Sequence, residues 1–343
     1  MSKATSVRLD TSEGPGPAHR SSRENADLLL VVLLGILWGS AFPVIRAGIV
    51  AGAPALVFAS VRYLLTAVAL VVIALAAGAP RPRRADLASP LLFGGVLMIA
   101  TYGGLLYVGE ESTSGGLAAV LTASAPLLSA LIGFRLLPSE RFGRWGILGL
   151  LVGFVGVGVL VLPGLVGSAA TGLAGPVLVI GAVLAFATGS VLLRRTSRAT
   201  PGFWTLSMQF ALAGAVVGIS ALLTGEPATL GRTSLVIPDL AFLVVVPGVI
   251  GYTLYFRIHH SSGPSIANVV GYVNPATGVL VGLIVFGETV TGIELVGLLL
   301  IAGGLFLLQR ERGRLSTSRR WPRGSTTESG TSEPGPSSAK LRE

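Results

Sequence analysis

The sequence contains no cysteine, and its only lysines are Lys3 and Lys340. The lack of cysteine excludes disulfide bonds and thiolate metal sites. Charge is scarce as well: 12% of the residues are charged, 51% are hydrophobic and the mean hydropathy is +0.77. Soluble globular proteins carry about 25% charged residues. The composition therefore indicates an integral membrane protein that has the lipid bilayer as a partner.

Carboxylates are missing from the middle of every long apolar run. The sixteen acidic residues lie in the tails or near the ends of these runs: Asp10, Glu13, Glu24, Asp27, Asp86, Glu110, Glu111, Glu140, Glu226, Asp239, Glu288, Glu294, Glu311, Glu328, Glu333 and Glu343. A proton-driven exporter of cationic drugs would be expected to bury a carboxylate, so this function is disfavoured. Glu110 and Glu111 at a boundary, where we expect them to be hydrated, and the pair His259 and His260 could still titrate.

Ten apolar runs are long enough to cross a bilayer, which takes about 20 residues. They cover 28–49, 54–77, 89–109, 113–136, 143–163, 173–193, 202–224, 237–257, 263–286 and 291–309. The first run lacks a cleavage-like boundary, so we interpret it as a retained helix and not as a signal peptide. Residues 1–26 and 311–343 are rich in Ser, Gly, Pro and Arg, which predicts disordered tails. No soluble domain fits between the runs.

Arginine alternates between the connections of these runs and so predicts an orientation. The even-numbered connections hold ten arginines: Arg81, Arg83, Arg84, Arg135, Arg141, Arg144, Arg194, Arg195, Arg198 and Arg257. The odd-numbered connections hold Arg46 and Arg232. By the positive-inside rule both termini are cytoplasmic in a multi-pass protein of the cell membrane. This rule also explains the net charge of +9 without a nucleic-acid partner.

An internal repeat divides the chain into two units. Residues 112–140 align with 261–288, which places Pro126 on Pro275, and after a one-residue gap Glu140 falls on Glu288. We therefore predict two repeats of five helices, 27–163 and 171–310. Because five is odd, the second repeat would enter the membrane from the opposite side, and such inverted repeats serve alternating access in transporters.

Several motifs resemble those of the EamA family of the drug/metabolite transporter superfamily. They are "WGSAFPVIRAG" at 38–48, "FASVRYLLTA" at 58–67, the mid-helix prolines Pro126 and Pro275, and Glu140 and Glu288 ahead of Gly-rich closing helices. The resemblance covers residues 28–309. It implies an all-α carrier of ten transmembrane helices with a central cavity between its halves, often an exporter of amino acids or related metabolites. It does not imply a substrate for this chain.

Prolines inside the spans predict helix kinks at Pro43, Pro126 and Pro275, since proline removes a hydrogen bond and clashes with the preceding turn. On the predicted ninth helix, Asn268 and Tyr272 share a face with Pro275 and are candidates to contact substrate. Asn274 is a weaker candidate on the same helix. The alternative is that these amides only tie helices together.

One arginine lies deep in a predicted span. Arg62 is about eight residues into the second run, where a cation costs at least about 2.5 kcal/mol near a helix centre. It either binds a substrate carboxylate or, as we prefer, braces carbonyls at a helix end. Arg46 is predicted to reach toward the interface. The remaining candidates for cavity lining are Trp38, Tyr102, Gln209 and Tyr252, whereas Tyr107 is predicted to belong to the interfacial aromatic belt.

Two further patterns are predicted to be structural. Glu288 precedes Thr291 and Glu294, which form a capping box for the last helix, so we interpret Glu288, and Glu140 with it, as a capping residue. The glycines at 146, 149, 153 and 156 predict close helix packing, within the chain or between the subunits of a homodimer.

These observations favour a carrier for a small neutral or zwitterionic metabolite, such as an amino acid, moved outward. An enzyme would need clustered acids, histidines or metal ligands, but the three histidines are His19 in a tail and the pair His259 and His260 at a boundary, so we predict no catalytic residue, no metal and no cofactor. A carrier for sugar phosphates would need more cations than Arg62 in its cavity. A proton-coupled multidrug exporter and a receptor or scaffold that does not transport remain as alternatives.

Overall fold

The structure is a computed structural model that describes residues 29–137, 143–166, 172–196, 202–255 and 264–318. Within these ranges it contains helices and no strand. The helices, numbered along the chain, are α1 Leu29–Val50, α2 Ala55–Ala76, α3 Pro90–Gly109, α4 Gly115–Leu136, α5 Arg144–Val166, α6 Ala174–Thr196, α7 Phe203–Thr224, α8 Ser234–Tyr255, α9 Pro264–Val285 and α10 Gly292–Ser318.

Nine of these helices are long and apolar enough, within the described residues, to cross a membrane. The exception is α9, whose apolar part is the shorter segment Val273–Val285. The predicted all-α, ten-helix membrane fold is confirmed. Helix α10 continues to Ser318, beyond the end of the apolar run at residue 309. The inversion of the two repeats stays a prediction.

Three of the helices that carry a proline within the membrane behave differently around it. Helix α1 has a turn at Ser40 before Pro43, and α4 has a turn between Gly115–Thr122 and Ala125–Leu136, just before Pro126. Proline cannot donate to the carbonyl four residues earlier, which loosens the helix at these points. Helix α9, by contrast, is continuous through Pro275.

Helices α3 and α8 each contain a π-helical segment, at Pro90–Thr101 and at Val244–Ile250. The two helices occupy the third position of their five-helix units. Wide turns of this kind are frequent at functional sites. The shared irregularity agrees with an internal duplication.

Glycines bring α5 against α10. A Cβ added at Gly149 would lie 2.6 Å from the carbonyl oxygen of Gly304, and one at Gly156 would lie 2.9 Å from that of Gly297. A Cβ at Gly153 would overlap Leu127 of α4. These three glycines of the predicted strip thus serve packing within the chain.

Contacts between connections show which of them share an end of the bundle. Glu288, between α9 and α10, binds the start of α4, and Arg46, at the end of α1, binds the end of α3. Glu226, between α7 and α8, binds the start of α2. We call this end, which contains Arg46 and Arg232, the low-arginine end of the bundle.

Candidate functional site

Aromatic rings from five helices meet inside the bundle. Trp38 of α1 lies 5.4 Å from Tyr252 of α8, measured between ring centroids, and Tyr252 lies 5.2 Å from Phe210 of α7. Phe210 is 5.7 Å from Tyr63 of α2, which is 6.4 Å from Tyr107 of α3. We call these five residues the aromatic cluster. It joins helices of the first repeat to helices of the second.

Arg62 places its positive charge against this cluster. Its Nη1 donates a 2.8 Å hydrogen bond to the Tyr107 hydroxyl. The guanidinium carbon lies 5.7 Å from the centre of the Tyr63 ring and 5.9 Å from that of Tyr107, within cation–π range. Within the described residues Nε is buried without a hydrogen-bond partner, and no carboxylate forms a salt bridge with Arg62.

The brace predicted for Arg62 has a different form in the structure. We expected hydrogen bonds to carbonyls at a helix end, but the described contacts of its side chain are with phenol rings. The prediction for Tyr107 is also corrected. It was predicted to lie in the interfacial belt, but it is 0% exposed, because the Phe58 ring packs edge-on at 5.6 Å and Arg62 covers its hydroxyl.

Trp38 and Tyr252 lie together, and Trp38 is anchored. The indole Nε1 donates a 3.2 Å hydrogen bond to the carbonyl of Pro247, in the π-helical segment of α8. A Cβ added at Gly251 would lie 2.7 Å from this Nε1, so glycine is needed for the close approach. Both rings remain partly exposed, as surfaces that line a cavity would be.

Gln209 and Tyr102 are placed outside the aromatic cluster. The Gln209 amide donates a 2.9 Å hydrogen bond to the carbonyl of Pro90 and packs on Gly94, so it ties α7 to the start of α3. The Tyr102 ring lies 5.5 Å from Phe186 of α6. These contacts favour roles in helix packing over the predicted role in cavity lining.

The candidates on α9 are only partly described. The side chains of Asn268 and Tyr272 lie outside the described residues. Asn274 is partly buried, and its Oδ1 is buried without a hydrogen-bond partner among the side chains that the structure describes. A Cβ added at Gly39 of α1 would overlap the backbone carbonyl of Asn274. This places Asn274 beside α1, one residue along from Trp38.

Sequence reasoning missed Tyr63 and Phe210, each of which directly follows a residue that was selected. Neighbouring side chains on a helix point about 100° apart, so a residue and its neighbour face different surroundings. Arg62 and Gln209 were selected because they are polar. The helical period would have predicted that Tyr63 faces the other aromatic residues only if the rotation of α2 about its own axis were known.

Backbone groups at the low-arginine end are held by charged side chains. The Glu288 carboxylate accepts hydrogen bonds of 2.9 Å from the amides of Gly115 and Gly116. Structural capping by Glu288 was predicted, but the helix it binds is α4 and not α10. The capping box is present: the Thr291 amide donates to Glu294 at 2.9 Å, and the Glu294 amide donates to Thr291 Oγ1 at 3.2 Å.

A cavity of about 480 Å³ opens at the same end. It is lined by Arg46, Ser112, Thr113, Ser114, Phe286, Gly287, Glu288 and Thr289. Arg46 donates hydrogen bonds to the carbonyls of Glu110 and Glu111 that follow α3. Side chains of both five-helix units therefore form the mouth of this cavity.

Glu110 lies at this end in an unexpected environment. It is 0% exposed, and both carboxyl oxygens are buried without a hydrogen-bond partner in the part of the chain that the structure describes. Burial raises the pKa of Glu110 well above its ordinary value, and the nearby Glu288 raises it further. We expected Glu110 to be hydrated because it follows the end of a span, and this expectation is wrong: its distance along the chain from mid-membrane does not give it access to water.

The family model of the EamA-like transporters matches residues 26–162 and 173–310, once for each five-helix unit. The chain belongs to the EamA-like transporter family. The family consists of transporters, which confirms that the chain is not an enzyme.

Relatives of this EamA-like chain include the uncharacterized inner membrane transporter YedA of Escherichia coli K12, 28% identical over 80% of this chain and 88% of the relative. A probable amino-acid metabolite efflux pump of Salmonella typhimurium is 25% identical over 82% and 94%. A probable terminal-alkyne amino-acid exporter of Streptantibioticus cattleyicolor is 31% identical over 83% and 94%. One solved crystal structure shares the fold, with a TM-score of 0.59 and 19% identity over 83% of this chain and 98% of its own.

Proposed function

We propose that this EamA-like transporter exports a small neutral or zwitterionic metabolite, such as an amino acid, and binds its carboxylate at Arg62. The observation that carries the proposal is a partly buried cation packed against an aromatic cluster to which both repeats contribute. A site shared by the two halves of a carrier can change its access when the halves move relative to each other.

The energetics of Arg62 favour a ligand of opposite charge. A cation within the membrane costs at least about 2.5 kcal/mol near a helix centre. The hydrogen bond to the Tyr107 hydroxyl and the ring faces of Tyr63 and Tyr107 offset only part of this cost. Nε has no hydrogen-bond partner among the described residues, so the guanidinium retains a donor on the edge that a carboxylate can bind. A carboxylate from the substrate would neutralise the charge and form charge-assisted hydrogen bonds.

The other end of an amino acid would also find suitable groups. The rings of Trp38 and Tyr252 can attract an ammonium group through their π faces. Asn274 Oδ1 is a buried acceptor without a partner, beside α1. Asn268 and Tyr272 remain proposed substrate contacts from α9. A zwitterion therefore suits the site better than a cationic drug, which would meet Arg62 with like charge.

The proposed outward direction is supported by the names of relatives, and the proposed orientation is supported by the distribution of arginine. We propose that the low-arginine end faces the outside and that both termini are cytoplasmic, since the positive-inside rule assigns the arginine-rich connections to the cytoplasm. The names of two relatives, an efflux pump and an exporter, support outward transport. The two repeats at 27–163 and 171–310 would exchange conformations to give alternating access.

Reconstitution in liposomes tests this function. Liposomes that contain the purified protein are preloaded with one unlabelled amino acid at a time. The protein should then accelerate uptake of the labelled form by counterflow, which needs no ion gradient. We expect at least one neutral amino acid to exchange, and Arg62→Gln to abolish its exchange. If no amino acid in a complete panel exchanges with the wild type, the proposed substrate class is wrong. Arg84→Gln, at an exposed position between α2 and α3, serves as the matched control for loss of an arginine.

A further inference from the structure

We propose that Glu110 is a proton-binding site of this carrier, which loses its proton when the low-arginine end opens and thereby couples transport to proton movement. The link to transport rests on the proposed carrier function, whereas proton binding at Glu110 does not. The site lies one residue past the end of α3, at a helix C-terminus.

Among the described residues, no hydrogen-bond donor contacts the carboxyl group of Glu110. Both of its oxygens are buried and have no hydrogen-bond partner there, and the residue is 0% exposed. Arg46 approaches this residue but gives its hydrogen bonds to the backbone carbonyls of Glu110 and Glu111. Arg62 donates to Tyr107 instead.

The charged and titratable groups around Glu110 come from several elements. Arg46 of α1 and Arg62 of α2 favour its ionised form, and Glu288 in the α9–α10 connection opposes it. Tyr102 and Tyr107 on its own helix interact with it electrostatically. Glu111 is its neighbour in the chain. The part of α6 that packs on Gly109, at Gly175 and Val179, brings no titratable side chain.

Burial decides the balance among these groups. An ion removed from water without a hydrogen-bonded partner costs several kcal/mol, and the negative end of the α3 dipole adds to this cost at a helix C-terminus. Burial is the largest cause of the raised pKa of Glu110. In this conformation burial therefore favours the neutral form of the carboxyl group, which carries a proton.

Opening of the low-arginine end would reverse this state. Arg46 and Glu288 hold α3 and α4 at this end, and both line the cavity of about 480 Å³ that opens there. When these contacts part, water from the cavity reaches Glu110, its O–H bond breaks and the proton passes to water. A metal cation is a poor alternative occupant, because Arg46 and Arg62 both act on the site with like charge.

The first test requires no substrate. The stability of the purified full-length chain in detergent is measured by thermal unfolding between about pH 5 and about pH 8. A group whose pKa is higher in the folded state contributes stability at low pH that is lost as pH rises through the folded pKa. We expect the melting temperature of the wild type to fall over this range, and that of Glu110→Gln to fall less. Glu294→Gln is the matched control, since glutamine also suits a capping box, and it should decline like the wild type.

Equal declines in melting temperature for the wild type and Glu110→Gln would overturn the proposal. A stabilisation of the wild type by sodium chloride but not by choline chloride, absent in Glu110→Gln, would also overturn it, because Glu110 would then bind sodium instead of a proton. If Glu110→Gln does not fold, infrared titration of the wild type replaces it: the carbonyl band of a protonated carboxyl group should persist at neutral pH, and its absence contradicts the proposal.

The second test addresses coupling in liposomes, with the amino acid that the wild type exchanges. An imposed pH gradient should drive its accumulation by the wild type, and Glu110→Gln should lose this accumulation while it keeps counterflow. Accumulation by Glu110→Gln equal to that of the wild type would overturn the coupling. If no amino acid is exchanged but the pH dependence of stability differs as expected, the proposed substrate class fails and the proton site stands.

Discussion

Glu288 and Glu110 carry the same carboxyl group at the same end of the bundle, but they meet opposite ends of helices. Glu288 accepts hydrogen bonds from the first amides of α4, where the helix dipole is positive. Glu110 follows the last turn of α3, where the dipole is negative and the free backbone groups are carbonyls. One carboxylate is bound by donors, whereas the other has no partner within the described residues.

Glu226 extends this comparison to a third carboxylate. It accepts hydrogen bonds of 3.0 Å from the amides of Leu56 and Val57 at the start of α2, so it resembles Glu288. The comparison teaches that a carboxylate at this end is bound where a helix N-terminus offers it free amides, whereas at the C-terminus of α3 such donors are lacking among the described residues and burial disfavours the ionised form of Glu110.

The largest effect on stability is expected for Glu288→Ala. The change removes two charge-assisted hydrogen bonds and leaves the amides of Gly115 and Gly116 without a partner, and such bonds contribute about 1.5–3 kcal/mol each. Allowing for water that replaces part of the loss, we expect the free energy of unfolding to fall by about 2–3 kcal/mol. Denaturant titration in detergent measures it.

The matched variant Glu288→Gln keeps one acceptor oxygen and should lose less than half as much stability. Equal losses for the alanine and glutamine variants would show that charge, and not hydrogen bonding to α4, is what Glu288 provides.

A smaller effect is expected for Glu294→Ala at the start of α10. Its carboxylate accepts one hydrogen bond, from the Thr291 amide, and caps of this kind contribute about 0.5–2 kcal/mol. We expect a loss near the lower limit, about 0.5–1 kcal/mol, in the same titration. A loss as large as that of Glu288→Ala would contradict the ranking of the two carboxylates.

The fold was predictable because its main signal is local. Runs of about 20 apolar residues must form helices in a bilayer, where every backbone group needs an internal partner, and the predicted ranges agree with the helices within a few residues at most ends. The π-helical segments in α3 and α8 were not predicted, since wide turns depend on packing against neighbouring helices. The turn before Pro126 could be anticipated from proline chemistry, whereas the continuity of α9 through Pro275 could not.

The candidate site was predictable only in part. Arg62, Trp38 and Tyr252 were identified because polar or amphipathic side chains within a span are few, and the structure brings these three to one cluster. Tyr107 and Glu110 were assigned to the boundary from their positions near the end of a run. Both are buried beside elements distant in sequence. Arg62 of α2 covers the hydroxyl of Tyr107, and Glu110 lies near Glu288 of the α9–α10 connection. No local sequence pattern predicts such contacts.

The proposed recognition of a carboxylate by Arg62 is tested most directly by changing the ligand and the protein together. The amino acid that exchanges in liposomes is compared with its carboxamide, as a competitor of counterflow in the wild type and by thermal shift in both the wild type and Arg62→Gln. The wild type should prefer the amino acid by about tenfold or more, since a charge-assisted hydrogen bond contributes about 1.5–3 kcal/mol, and Arg62→Gln, with its residual binding measured by thermal shift, should lose this preference. A preference that persists in a folded Arg62→Gln variant would contradict the assignment of Arg62 to the substrate carboxylate.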